Sequence, residues 1–226
     1  MQHNQTEELG TAGIGSLLFK LALPAIAAQI INLLYNLVDR MYIGHIAKVG
    51  KLALTGVGVC LPLIMIISAF AALVSMGGAP RASIFLGKGE KDNAEKTLGN
   101  SFTLLVILSL ILTIIFQLFA KDILLIFGAS ENTISYATSY MKIYSLGTIF
   151  VQLTLGLNAF ISAQGFAKVS MLTVLIGAIT NIILDPIFIF GFNMGVSGAA
   201  LATIISQSIS MIWILSGWLM KKAQSF

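Results

Sequence analysis

The sequence predicts an all-α integral membrane protein of six transmembrane helices, and three observations carry that prediction. Hydrophobic residues make up 57% of the 226-residue chain, above the roughly 45–50% apolar share of soluble domains. Charged residues make up only 10%, against about 25% in a soluble protein, and the mean hydropathy is +0.94. The few charges also divide the chain into six long apolar runs, and at about 20 residues per crossing six crossings fit the length with room for loops. The net charge of +4, from 13 Lys and Arg against 9 Asp and Glu, does not point to nucleic acid. The basic residues sit in loops between apolar runs and form no single soluble face.

The N-terminal segment, residues 1–16, is polar, carries Glu7 and Glu8, and has neither a basic leader nor a small-residue cleavage site, so it reads as a cytoplasmic extension and not a signal peptide. Residues 17–220 hold the six helices, and 221–226 form a short cytoplasmic tail. The first four charge-free runs are Leu21 to Val38, Leu52 to Pro80, Thr97 to Ala120 and Ile143 to Ala167. Val169 to Leu184 and Pro186 to Met220 follow, and the last is too long for one crossing. Its GFNMGVSGAA segment, with Gly191, Gly195 and Gly198, reads as a turn. That sets the fifth helix at about Val169 to Phe190 and the sixth at about Val196 to Leu219. Pro24 and Pro62 predict kinks. Gly77, Gly78, Gly147, Gly156, Gly198, Ala199 and Ala200 predict close helix packing, and the lone Cys60 a small buried hydrophobe.

Basic residues orient the bundle. With the N-terminus inside, Lys20, Arg81, Lys88, Lys91, Lys96, Lys168, Lys221 and Lys222 lie inside, and Arg40, Lys48, Lys51 and Lys121 outside. The first group outnumbers the second two to one, which predicts a cytoplasmic N-terminus. Lys142 reads as a snorkelling residue near the outer end of the fourth helix, and Trp218 beside Lys221 and Lys222 as an inner interfacial anchor. Soluble motifs are absent: Leu86 to Lys96 has a Gly-Lys-Gly but not the phosphate-loop spacing. His3 and His45 offer no transition-metal ligand set. No cofactor is expected.

Two carboxylates inside apolar spans demand a reason, since each costs roughly 2.5–3.5 kcal/mol at a helix centre on insertion scales. At 1.5 Å per residue, Asp185 lies about 25 Å beyond Lys168 and Asp39 about 28 Å beyond Lys20, so both reach the same outer layer. Thr203, on the oppositely directed sixth helix, reaches it too. On the first helix Gln29, Asn32, Asn36 and Asp39 make a continuous polar stripe flanked by Tyr35. On the fifth, Thr173, Gly177, Asn181 and Asp185 stack at intervals of four, and Pro186 cannot donate to the carbonyl of Ile182. The pattern suits an ion site of hard oxygen donors; the alternative is interhelical hydrogen bonding.

The segments Asn181 to Gln207, Tyr35 to His45 (YNLVDRMYIGH) and Ala72 to Glu90, with Gln164 and Gly165, resemble the multidrug and toxic compound extrusion (MATE) family of antiporters, specifically its prokaryotic branch. The resemblance covers nearly the whole chain and implies one lobe, the N-terminal one, of a two-lobe transporter with a substrate cleft between lobes. It implies a cation site at Asp39, Asn181, Asp185 and Thr203, with Tyr140 in the same network, able to hold Na+ or a proton as coupling ion. It further implies a substrate cavity that includes Asn32 and Asn158; Tyr35 and Asn36, beside Asn32 on the polar stripe, join it as candidates. The expected partners are cationic amphipathic small molecules, membrane lipid, and a missing C-terminal lobe or a second copy of the chain, and the expected location is a prokaryotic plasma membrane. The length leads to the expectation of a truncated product, with a half-transporter dimer as the other possibility. Two readings compete: a flippase for lipids or lipid-linked precursors, and an intramembrane aspartic protease. The residues before Asp185 (Ile182, Ile183, Leu184) lack the Gly-x-Gly-Asp signature of the latter.

Overall fold

The computed structural model describes residues 13–223, without the side chains of residues 16, 17 and 218–223. Most of the N-terminal extension, the end of the tail, and the side chains of Trp218, Lys221 and Lys222 therefore lie outside the described residues.

With almost no charge and few helix breakers, the chain winds into long helices: α1 (Ile14–Gly44), α2 (Gly50–Gly87) and α3 (Lys91–Ile126). These are followed by α4 (Ile134–Leu146), α5 (Thr148–Ala163), α6 (Ala167–Pro186) and α7 (Val196–Ala223). A π-helical turn, Ile187–Gly191, extends α6. α1, α2, α3, α6 with its extension, and α7 are each long and apolar enough to cross a membrane, and α4 and α5, bent by 58°, together make a sixth span. The predicted six-span, all-α architecture is the observed one. The glycine-rich turn between the last two spans is also present, and there Gly195 takes a φ of +56° that side-chain-bearing residues seldom adopt.

Two details differ from the sequence reading. The fourth span begins at Ile134, well before the apolar run that starts at Ile143, because the run is cut short by Lys142. Lys142 consequently lies about two turns into α4, exposed, and not near the end of its span. Gly77 is not a packing glycine, since a Cβ there would meet no atom within 4 Å. The other glycines of that group behave as expected. A Cβ on Gly147 would collide with Ile204, one on Gly156 with Leu105, and one on Gly198 would come within 2.7 Å of the Phe188 backbone.

α2 packs on α3 and α5, α1 chiefly on α6, and α7 against α4, α5 and α6. Leu63, Ile67, Phe116, Leu124 and Met141 centre the larger core cluster, and Leu105, Leu153, Leu157 and Ile214 a second. Outside these clusters, Leu33, Ile114, Leu118 and Ile212 are exposed, as suits a hydrocarbon environment in which helix association depends on close packing. Cys60 is fully buried, its thiol donating to the Ala137 carbonyl at 3.3 Å.

Candidate functional site: a buried acid pair beside a polar cavity

The i, i+4 stack on α6 turns one continuous face inward, and Thr173, Gly177, Asn181 and Asp185 are all buried. Its two halves do different things. At Gly177 a Cβ would come within 2.6 Å of the Ser210 hydroxyl, and that hydroxyl donates to the Thr173 carbonyl at 3.2 Å. This half is a seam between α6 and α7. The other half faces α1, where the Asp39 carboxyl is the direct neighbour of Asp185. Asn181 bridges outward from the pair: its Nδ2 donates to Asp185 Oδ1 at 3.2 Å and to Thr203 Oγ1 at 3.5 Å. Thr203 donates its own proton to the Ala199 carbonyl at 3.0 Å, which leaves its oxygen as an acceptor. Tyr140, buried on α4, brings its hydroxyl to Thr203 and lies near Asp39. It also stacks on Tyr144, with ring centroids 5.9 Å apart.

Asp39, Asn181, Asp185, Thr203 and Tyr140 therefore come together, as expected from the sequence, between α1, α4, α6 and α7. The cluster is rich in acceptors. Asp39 Oδ1, Asn181 Oδ1 and Asp185 Oδ2 are all buried with no hydrogen-bond partner among the described residues. Three orphaned oxygens in one place are unusual, because a buried acceptor left unpaired costs about 1–3 kcal/mol. Such a set fits a hard monovalent cation or a shared proton, and a soft metal poorly.

Next to the cluster is a cavity of about 510 Å3, and Asn32, Tyr35, Asn36 and Asn158 all line it. Thr203 lines it too, so this residue is common to the acid cluster and the cavity. Asn36 Nδ2 donates to the Asn32 carbonyl at 2.7 Å and holds the α1 stripe in order. Asn158 Nδ2 donates to the Ser170 carbonyl at 3.3 Å, leaving its Oδ1 unpartnered. Arg40 is the one charged residue in the described lining. The sequence reading missed Gln207, Thr154 and Tyr144, which also line the cavity. Gln207 has a recoverable signal, standing four residues after Thr203 on the same face of α7. Thr154, whose hydroxyl donates to the Gln207 carbonyl at 3.1 Å, has none, because a lone threonine in an apolar run does not reveal which helix it faces.

The sequence profile of the MatE family matches residues 24–187. The chain belongs to the MatE family. This MatE chain is 33% identical over 196 residues to a multidrug export protein, MepA, of Staphylococcus haemolyticus (strain JCSC1435), an alignment covering 86% of the chain and 42% of that relative. A solved structure described as protein A is 36% identical, with a TM-score of 0.89, over 96% of this chain and 48% of that one. An outward-facing structure of a multidrug resistance MATE family transporter of the MOP superfamily is 27% identical, with a TM-score of 0.84, over 91% of this chain and 45% of that one. The chain spans about half the length of the proteins it matches. MatE proteins are secondary transporters and not enzymes, which sets aside the intramembrane protease.

Proposed function

We propose that this MatE chain supplies the cation-handling lobe of an antiporter that exports cationic, amphipathic small molecules in exchange for Na+ or H+ across a bacterial plasma membrane, with the N-terminus in the cytoplasm. The observation that carries the reading is the group of three orphaned oxygens on Asp39, Asn181 and Asp185, one hydrogen bond away from a cavity wall. Two adjacent carboxylates in a poorly hydrated place do not both stay ionised without a counter-charge, so the pair takes up a cation or shares a proton. The role of Thr203 follows from its position. A cation drawing on its oxygen competes with the Asn181 amide, and the same side chain borders the space where a substrate sits. Coupling then requires only that ion and substrate favour different arrangements of that shared wall. The similarity to a Staphylococcus multidrug export protein supports the substrate class. A second lobe, or a second copy, closes the other side of the cleft, since alternating access needs two bodies.

The test is Asp185→Asn in a complete transporter containing this lobe. Gradient-driven efflux of a cationic dye from vesicles is expected to vanish, whether Na+ or H+ is the driving ion, at unchanged membrane insertion. Undiminished efflux, or an equal loss of folded protein, would remove the ion-site reading.

A second reading rests on Arg40. A cavity whose described charge is a single guanidinium also suits an anionic headgroup, as a flippase for lipids or lipid-linked precursors requires. Movement of a labelled anionic lipid in place of a cationic dye would favour it.

A further inference from the structure

A second cavity, of about 520 Å3, opens between α2 and α3 at the end of the bundle marked by the α2–α3 turn. The acid pair lies toward the opposite end, since Asp39 is near the α1–α2 turn. This cavity shares no lining residue with the one beside the acid pair, and its lining is chemically specific. Arg81 and Lys96 bring two positive charges, Asn100 brings an amide, and no carboxylate lines the space. Glu90, Asp92 and Glu95 are near in sequence but do not line it, and Glu90 is engaged by the Asn93 amide at 2.7 Å. Among the described residues neither Arg81 nor Lys96 has an ion-pair partner; Arg81 instead lies over the Phe85 ring, 5.7 Å from its centroid.

A glycine keeps part of this space open. At Gly77 the region a side chain would fill is open to 4 Å, whereas a Cβ on the adjacent Gly78 would come within 2.5 Å of the Ser101 hydroxyl and within 2.7 Å of the Phe160 ring. Gly77 thus leaves a hollow that Gly78 does not. The polarity of the wall is graded as well. The donors lie toward the turn, and Leu73 and Leu104, 69% and 46% exposed, continue the wall toward the middle of the spans.

From this geometry we infer that the α2–α3 cavity binds the phosphate of an anionic phospholipid. A forked guanidinium, an ammonium and an amide donor match a phosphodiester. Basic pockets between transmembrane helices near the membrane surface suit lipid headgroups. The apolar lower wall selects a lipid over a free anion, because Leu73 and Leu104 offer an acyl chain a continuation that inorganic phosphate does not use.

The chain is purified in detergent and challenged with equimolar phosphatidylglycerol and phosphatidylcholine, and retained lipid is counted by native mass spectrometry. Phosphatidylglycerol is expected to be retained preferentially. Its retention should fall at least about tenfold in Arg81→Gln/Lys96→Gln, because two charges near a headgroup are lost. Gly77→Leu, which fills the hollow and leaves both charges, should also lose it. Lys51→Gln/Lys121→Gln, at the other end of the bundle, should not. Equal retention of the two lipids, undiminished phosphatidylglycerol on the Arg81/Lys96 variant, or displacement of the lipid by millimolar inorganic phosphate would each overturn the assignment.

Discussion

Asp185 is fully buried with one carboxyl oxygen unpaired, and its neighbour is a second carboxylate. A ligand cation that settles this arrangement should stabilise the fold by mass action, about 2.7 kcal/mol when present at a hundred times its dissociation constant. Asp39→Asn and Asp185→Asn should each abolish the rise in melting temperature that Na+ or a pH change gives the parent, and the double variant should lose nothing further, because both acids serve one site. Two independent, additive losses would separate the acids. Thr203→Val should cost about 1–3 kcal/mol by leaving the Asn181 amide without its second acceptor and should weaken ion and substrate binding together, whereas Thr203→Ser should restore both. Loss of only one of the two would mean that Thr203 does not couple them. Most of this site was legible from residue chemistry. Charge inside an apolar run is conspicuous, and counting rise per residue was enough to bring Asp39, Asp185 and Thr203 to one depth. Tyr140 came only through family resemblance, since a tyrosine in a span is ordinary. Gln152 was not legible as a core residue; it is fully buried and donates to the Ile67 carbonyl at 3.0 Å, a partner 85 residues away.

The elements were legible where charge bounds them and obscure where it does not. The bend between α4 and α5 lies inside an apolar run with no proline, and its corner packs closely against a distant helix. Gly147 meets Ile204 so closely that the chain turns there with no room for a side chain. Lys142 misled in the opposite direction by hiding the first two turns of the span. Gly147→Ala is expected to destabilise by about 1–3 kcal/mol through overpacking against a stiff β-branched partner. Gly77→Ala, which meets open space in a helix interior, should be neutral or stabilising by up to about 1 kcal/mol. Thermal unfolding in detergent distinguishes the two, and equal effects would mean that the Ile204 contact does not fix the bend.

For the molecule as a whole, the distribution of basic residues predicts that the α2–α3 turn is cytoplasmic and the α3–α4 turn external. In a Cys60→Ala background, Lys91→Cys should resist an impermeant thiol reagent applied to intact cells and Asn132→Cys should react; the reverse pattern would invert the topology. In the parent chain Cys60 should stay unlabelled, because it has no exposed surface. The bent fourth span has a consequence beyond shape. Its first half presents Tyr140 to the acid pair and its second half presents Asn158 to the cavity, while its corner rests on Ile204, the residue next to Thr203 on α7. The bent span thus has a residue in each compartment, and its corner adjoins the residue they share. Any tilt of this span about that corner would displace Tyr140 and Asn158 together, so the two compartments share a wall as well as a residue.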